Sequence, residues 1–339
     1  MEICVQNLSF GYIKKPFCLK GVNVLIKDGD TVALMGGEAM GKSSFLKLLS
    51  KLERQYIGFI KFDGKDINEL DDGEIKISYL PSEPVFFGSK TLKYNLDYLF
   101  SVEKMEPFSN EKILKIFKDF SFEKSLFDKV KSLSLYEKRL FAIIRSYIKN
   151  PSVVLIDEQT EGLSSEHIEK IKNAIMMLIN GKNDTKTTII ACNNANMLDL
   201  CNKYLCFSYG GVSMQNNLND IQKDFNDLFF TEYFNVSKKS FLLSKEEDNY
   251  YLNDYKIEYK NPKKQTGEYT TILSKIKLSN IFNSALCKTQ IGFDELIKVV
   301  LVDKDGEDII CEDRVLNEYL NNSGRKYHLF EEATGVKII

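Results

Sequence analysis

Residues 36–44 read GGEAMGKSS, which fits the pattern G-x-x-x-x-G-K-[ST] at Gly36, Gly41, Lys42 and Ser43. Glycines let a backbone curl until successive N–H groups face phosphate oxygens. A helix that starts just after such a loop adds its positive end. Gly36, Gly37, Glu38, Ala39, Met40 and Gly41 would form the cradle, and Ser44 would follow in the first helical turn. Lys42 would reach the outer phosphates, and the Ser43 hydroxyl would hold Mg²⁺. Farther along, SVVLIDEQTEGL ends an apolar run on Asp157 and Glu158. Asp157 suits a second hold on the metal, and Glu158 suits a base that polarises an attacking water.

These groups need elements to carry them. TVALM before the loop reads as a buried strand, and SVVLIDE and TTIIAC as two more. In SSFLKLLSKLE, Phe45, Leu48, Leu49 and Leu52 repeat at helical spacing, which predicts a helix with one buried face. GFIKFDGKDI predicts a hairpin that turns at Asp63–Gly64. IKISYLP is a further strand candidate, and residues 91–149 are mainly helical, with a serine cap opening SNEKILKIFKDF. Strands alternating with helices imply a parallel sheet covered on both faces. After about Ile221 the texture changes to short strand-like runs such as YYLNDYKIEYK, IKVVLVD and EDIICED.

The whole chain bounds what these pieces can be. Its 339 residues suggest two or three domains, and 43% hydrophobic with 28% charged residues is a globular composition. A net charge of -2 gives no reason to expect a nucleic-acid partner. Seven scattered cysteines with no CxxC pair fit a reducing compartment. The start lacks the pattern of a secretory signal, and no run of about 18 apolar residues is present to span a membrane.

The order of motifs resembles the nucleotide-binding subunit of ABC transporters over about residues 1–230. The opening LSFGYIKKPFCLKGVNVLIKDGDTVALMG is similar to that family's start, and the resemblance puts Tyr12 where an aromatic stacks on adenine. LPSEPVFFGSKTLKYNL resembles the loop that senses the γ-phosphate and touches the membrane partner. LSLYEKRLFAIIRSYIKNPSVVLIDE has the family's helix-then-strand arrangement. NDLFFTEYF and RKYHLFEEATGVKII look like stretches of maltose-type sugar importer ATPases.

The resemblance implies an α/β fold: a P-loop ABC-type nucleotide-binding domain over 1–224 with a helical subdomain at about 91–150. A smaller, mostly β, OB/TOBE-like domain would follow over 225–339. The implied cofactors are ATP and Mg²⁺. The implied partners are integral-membrane permease subunits and a second ATPase subunit, and the implied location is the cytoplasmic face of the cell membrane.

Several positions depart from the family pattern. Ser82 stands where the sensing loop has Gln, and Asn193 (or Cys192) where a histidine is usual. The two histidines, His167 and His328, lie elsewhere in the sequence. Leu133-Ser134-Leu135-Tyr136-Glu137 replaces L-S-G-G-Q, which adds bulk and sets a negative charge near the triphosphate of the partner subunit. Gln159 replaces Pro, Ser164 replaces Asp, and Ala39 replaces a glycine. The expectation is therefore a carbohydrate-importer ATP-binding subunit that binds MgATP and turns it over slowly or not at all. A nucleotide-sensing regulatory or scaffold protein is the alternative, and a diverged homodimeric ATPase is a third reading.

Overall fold

The chain begins with strands β1 (Ile3–Phe10), β2 (Leu19–Ile26) and β3 (Thr31–Met35), then helix α1 (Lys42–Leu49). Strands β4 (Ile57–Phe62), β5 (Lys65–Asp66) and β6 (Ile77–Leu80) follow. Helices α2 (Leu92–Val102), α3 (Asn110–Asp119) and α4 (Leu135–Lys149) come next. The chain returns through β7 (Val153–Asp157), α5 (Ser165–Asn180), β8 (Thr187–Ala191), β9 (Lys203–Ser208) and β10 (Gly211–Gln215). This computed structural model describes residues 1–12, 18–71, 73–181, 186–208, 211–218 and 221, and beyond them the backbone of five strands between 238 and 331.

Two compact units divide the chain: Met1–Phe207 with Gly211–Leu218, and Ser208–Gly210 with Asn219–Ile339. In the first, the central sheet has the order β10-β9-β3-β8-β7-β6. Its pairings from β9 through β6 are parallel. Every residue of β3, β7 and β8 is buried, as strands covered on both faces require. A second, antiparallel sheet has the order β2-β1-β4-β5. Its β4–β5 hairpin pairs Phe62 with Lys65 and turns through Asp63 and Gly64, both at positive φ, as the Asp-Gly dipeptide predicts.

α1 is shorter than its periodicity predicts. It stops at Leu49, and Leu52 is 62% exposed. The reason is local: Lys51 sits in the left-handed region at φ 62, and Lys51 N and Leu52 N donate back to Leu48 O and Lys47 O. These paired bonds close the helix end. Eight residues are too few for a stable isolated helix, so α1 depends on burying Phe45, Leu46, Leu48 and Leu49 against the sheet. Each such side chain contributes about 1.5–3 kcal/mol.

α2, α3 and α4 sit between β6 and β7 in sequence and share a phenylalanine-rich core. Phe117 meets Phe122 edge-on at 4.9 Å, and Phe122 stacks on Phe141 at 5.9 Å. Ser109 caps α3 by accepting from Lys112 N, and α4 ends at Asn150, left-handed and followed by Pro151. None of the described helices is long and apolar enough to cross a membrane.

In the second unit, β11 (Lys238–Glu246), β12 (Asn249–Leu252), β13 (Tyr255–Ile257), β14 (Ile297–Asp303) and β15 (Tyr327–Glu331) form one antiparallel sheet in the order β13-β12-β11-β14-β15. The run EDIICED and the stretch NDLFFTEYF lie outside the described residues.

Candidate functional site

Register decides where the chemistry gathers. Leu34 aligns with Ala191, Ala191 with Asp157, and Ile156 with Leu80, so β3, β8, β7 and β6 end together at one carboxyl edge. The loops leaving that edge carry the cradle, Asn193, Glu158 and Ser82. This edge is where open parallel sheets hold ligands.

The cradle is shaped by two glycines that nothing else could replace. A Cβ on Gly36 would lie 2.4 Å from Phe207 O, and Gly41 has φ +97 with Leu19 Cδ2 2.7 Å from where a Cβ would stand. Ala39 adopts φ 59 in the same loop, a left-handed geometry that strains an alanine. Gly41 is the N-cap of α1 and supplies no side-chain cap, and the first turn has no acidic residue. The amides there are left open to an anion. Glu38 is exposed, and Met40 packs partly buried against the core.

Lys42 is buried, and its Nζ donates to Gly36 O at 2.7 Å and Gly37 O at 2.9 Å. Burial pulls its pKa down, opposed by the nearby Glu158, Cys192, Asp157 and Glu38. Ser43 Oγ donates to Asp157 Oδ1 at 3.0 Å, which joins the cradle to the end of β7. Tyr79 OH donates to the other oxygen, Asp157 Oδ2, at 3.1 Å. Tyr12 stands beside the cradle: its hydroxyl lies 3.3 Å from Ser44 Oγ, and its ring meets Phe10 edge-on.

Glu158 is 8% exposed, and its Oε1 has no hydrogen-bond partner. Burial pushes its carboxyl up to about 7, with Lys42 pulling the other way. Its backbone is left-handed, at φ 43. Asn193 is half-buried just past β8, next to the 3-10 turn Ala195–Leu200 that Asn194 caps. Ser82 is half-buried just past β6, and its carbonyl accepts from Arg139 Nε at 3.3 Å. Gln159 is buried and spans two strands: its Nε2 donates to Pro81 O at 2.8 Å and Asp157 O at 3.0 Å.

The segment Leu133–Glu137 opens α4. Leu133 is buried, and Leu135 is 42% exposed. Ser134 is the N-cap; its Oγ accepts from Glu137 N while Glu137 Oε2 accepts from Ser134 N. Lys124 pairs with Glu137 Oε1 at 2.8 Å. Burial alone would raise the Glu137 carboxyl, but Lys124 and Ser134 bring it below its ordinary value. Glu137 keeps the negative charge expected here and is paired with Lys124 of its own chain. Tyr136 stacks on His167, with centroids 4.2 Å apart and planes 12° apart. Ser164 caps α5 by accepting from His167 N, which a serine does as well as an aspartate.

Residues 19–161 match the family model described as ABC transporter. They carry the α/β fold of P-loop ABC ATPases. The chain is 33% identical over 195 residues to human "ATP-binding cassette sub-family B member 5", covering 55% of this chain and 15% of that protein. It is 30% identical over 226 residues to the "ABC multidrug transporter mdr1" of Aspergillus fumigatus, covering 62% and 16%. It thus spans less than a fifth of either relative. The P-loop ABC fold also appears in a bacterial Atm1-family ABC exporter with ATP bound, at TM-score 0.56 and 22% identity, over 66% of this chain and 40% of that one. An ATP binding subunit of an ABC transporter matches at TM-score 0.56 and 20% identity, over 66% of this chain and 93% of that one.

These relatives overturn the maltose-type branch, and carbohydrate import and sugar transport with it. That expectation rested on two short stretches, of which only Tyr327–Glu331 is described, as β15. Phrases of nine and fifteen residues carry far less information than an alignment of 195. The sequence reading also missed Tyr79 and Arg139, which no local motif marks. Their roles arise from strand adjacency and from packing of α4.

Proposed function

We propose that the chain binds MgATP at residues 36–44 as the nucleotide-binding part of an exporter-type ABC assembly. It acts with membrane-spanning domains and a second nucleotide-binding domain, on the cytoplasmic face of a membrane. The observation that carries the reading is the open start of α1 beside Lys42, with Ser43 bonded to Asp157 at the same sheet edge. The residues fit the cofactor: open amides and a desolvated ammonium suit phosphate, and a hydroxyl beside a carboxylate suits a hard cation. When bound, Mg²⁺ would neutralise charge on the phosphates.

The chain's own residues divide the work. Lys42 and the loop amides bind phosphate, Tyr12 offers a ring beside the cradle for the base, and Asp157 holds the metal side of the site. Glu158 has a buried oxygen with no partner and a pKa near 7, so it can accept a proton from a water placed there. Asn193 donates hydrogen bonds but relays no proton as imidazole does, and Ser82 is too short for the reach of a glutamine. Turnover is therefore slow. The OB/TOBE-like reading of the second unit joins this proposal, supported by its antiparallel sheet.

The self-capped start of α4 favours a second reading, a nucleotide sensor without transport. Steady-state phosphate release and equilibrium binding of a fluorescent ATP analogue test both. Tight binding with turnover far below that of Asn193→His/Ser82→Gln/Leu135→Gly/Tyr136→Gly supports the main reading. Brisk turnover by the unmodified chain that Glu158→Gln abolishes would overturn the slow-hydrolysis proposal.

A further inference from the structure

Arg139 lies in the second turn of α4 and belongs to neither loop, yet it is 4% exposed and its guanidinium joins the loop after β6 to the loop after β7. Nε donates to Ser82 O at 3.3 Å, and Nη1 donates to Gln159 O at 3.1 Å and Glu161 O at 2.5 Å. All three acceptors are backbone carbonyls rather than carboxylates. A buried cation is tolerated only when its donors are satisfied, and the rigid fork of arginine can serve two segments at once. We propose that Arg139 is a positioning residue: it clamps the loop after β6 to the loop after β7 and so fixes the place of Glu158.

Three observations meet at this clamp. Glu158 has φ 43, a conformation that a glutamate keeps only where its surroundings over-determine it. The residues just after it are the ones held, since Arg139 takes the carbonyls of Gln159 and Glu161. Gln159 adds a parallel tie from its side-chain amide to Leu80 O, Pro81 O and Asp157 O. The strained residue is thus bracketed by α4 on one side and the end of β6 on the other. The clamp is a property of the folded chain. Its consequence for catalysis rests on the proposed function.

The test uses the full chain with Arg139→Lys, which keeps the charge and loses the fork, and Arg139→Met, which loses both. Amide hydrogen exchange is read at residues 80–83 and 158–162. Binding of a fluorescent ATP analogue is measured beside it, with Lys42→Ala as the control. In both Arg139 variants, exchange should rise tenfold or more in the two segments together. Analogue affinity should stay near that of wild type in both Arg139 variants, which a general loss of folding would not allow. Lys42→Ala should lose analogue binding and leave the exchange of both segments unchanged. A rise confined to one segment, or a loss of analogue affinity that matches the rise in exchange, overturns the clamp. If Arg139→Met does not fold, wild type and Arg139→Lys still decide it through exchange. A wild type that binds no analogue sinks the proposed function, while the exchange result still judges the clamp.

Discussion

α1 follows the cradle and α4 follows the segment Leu133–Ser134, and the two N-termini have been finished in opposite ways. At α1 the N-cap is Gly41, no side chain caps it, and no acid occupies the first turn. At α4, Ser134 and Glu137 cap each other, and Lys124 neutralises the carboxylate. The orphan amides that make a helix start attractive to anions have no side-chain cap at α1, whereas at α4 the amides of Ser134 and Glu137 are bonded from within the chain. Two glutamates show the contrast in charge. Glu137 is paired and sits below its ordinary pKa, whereas Glu158 is buried with an orphan oxygen and pushed up to about 7. An anion site is therefore a helix end whose bonds the chain has declined to complete itself.

The largest effect expected is at the open end. Lys42→Ala removes the ammonium that bonds two loop carbonyls, so affinity for a fluorescent ATP analogue should fall about a hundredfold, roughly 3 kcal/mol for lost charged hydrogen bonds. Unchanged affinity would place the nucleotide elsewhere and dissolve the contrast between the two helix starts.

Next comes Glu158. Its folded pKa is raised from 4.5 to about 7, so between those values the folded state holds more protons than the unfolded one. Stability then falls as pH rises from about 4.5 to about 7, by up to roughly 3 kcal/mol at 1.36 kcal/mol per unit. Glu158→Gln removes this loss. In urea unfolding the variant should match wild type near pH 4 and exceed it at pH 8. A constant difference across that range would show that burial does not hold the carboxyl up.

Smaller effects should appear at the filled end. Ser134→Ala breaks one half of the reciprocal cap and should cost about 1 kcal/mol of stability, read as a lower urea midpoint at unchanged slope. Analogue binding at the cradle should not move, because α1 is a separate helix end. A matching loss of affinity would show that the two starts are coupled within one chain. The smallest change belongs to Ala39→Gly, which relieves the left-handed alanine at φ 59 and should stabilise by about 1 kcal/mol or less, since glycine also loosens the unfolded chain. A destabilised Ala39→Gly would mean that the loop holds this geometry without strain.

What the sequence determined by itself was local. The run TVALM, the Asp63–Gly64 turn, the cap at Ser109 and the cradle pattern are each written within about ten residues, because strand burial, turn chemistry and capping act over that range. The stopping point of α1 was already harder to read, since periodicity pointed to Leu52 and a left-handed Lys51 ended the helix earlier. Tertiary structure decided what lies far apart in the chain. Strand order set β8 between β3 and β7 and brought Ser43 to Asp157, 114 positions away. It also gave Asp157 its second donor in Tyr79, stacked Tyr136 on His167, and paired the capping Glu137 with Lys124. No residue pattern announces such pairings, because they depend on which edges and faces come to lie side by side once the sheet has formed. Burial of Glu158 belongs with them: a carboxylate at a strand end titrates normally in water, and only the packed loops around it leave one oxygen without a partner.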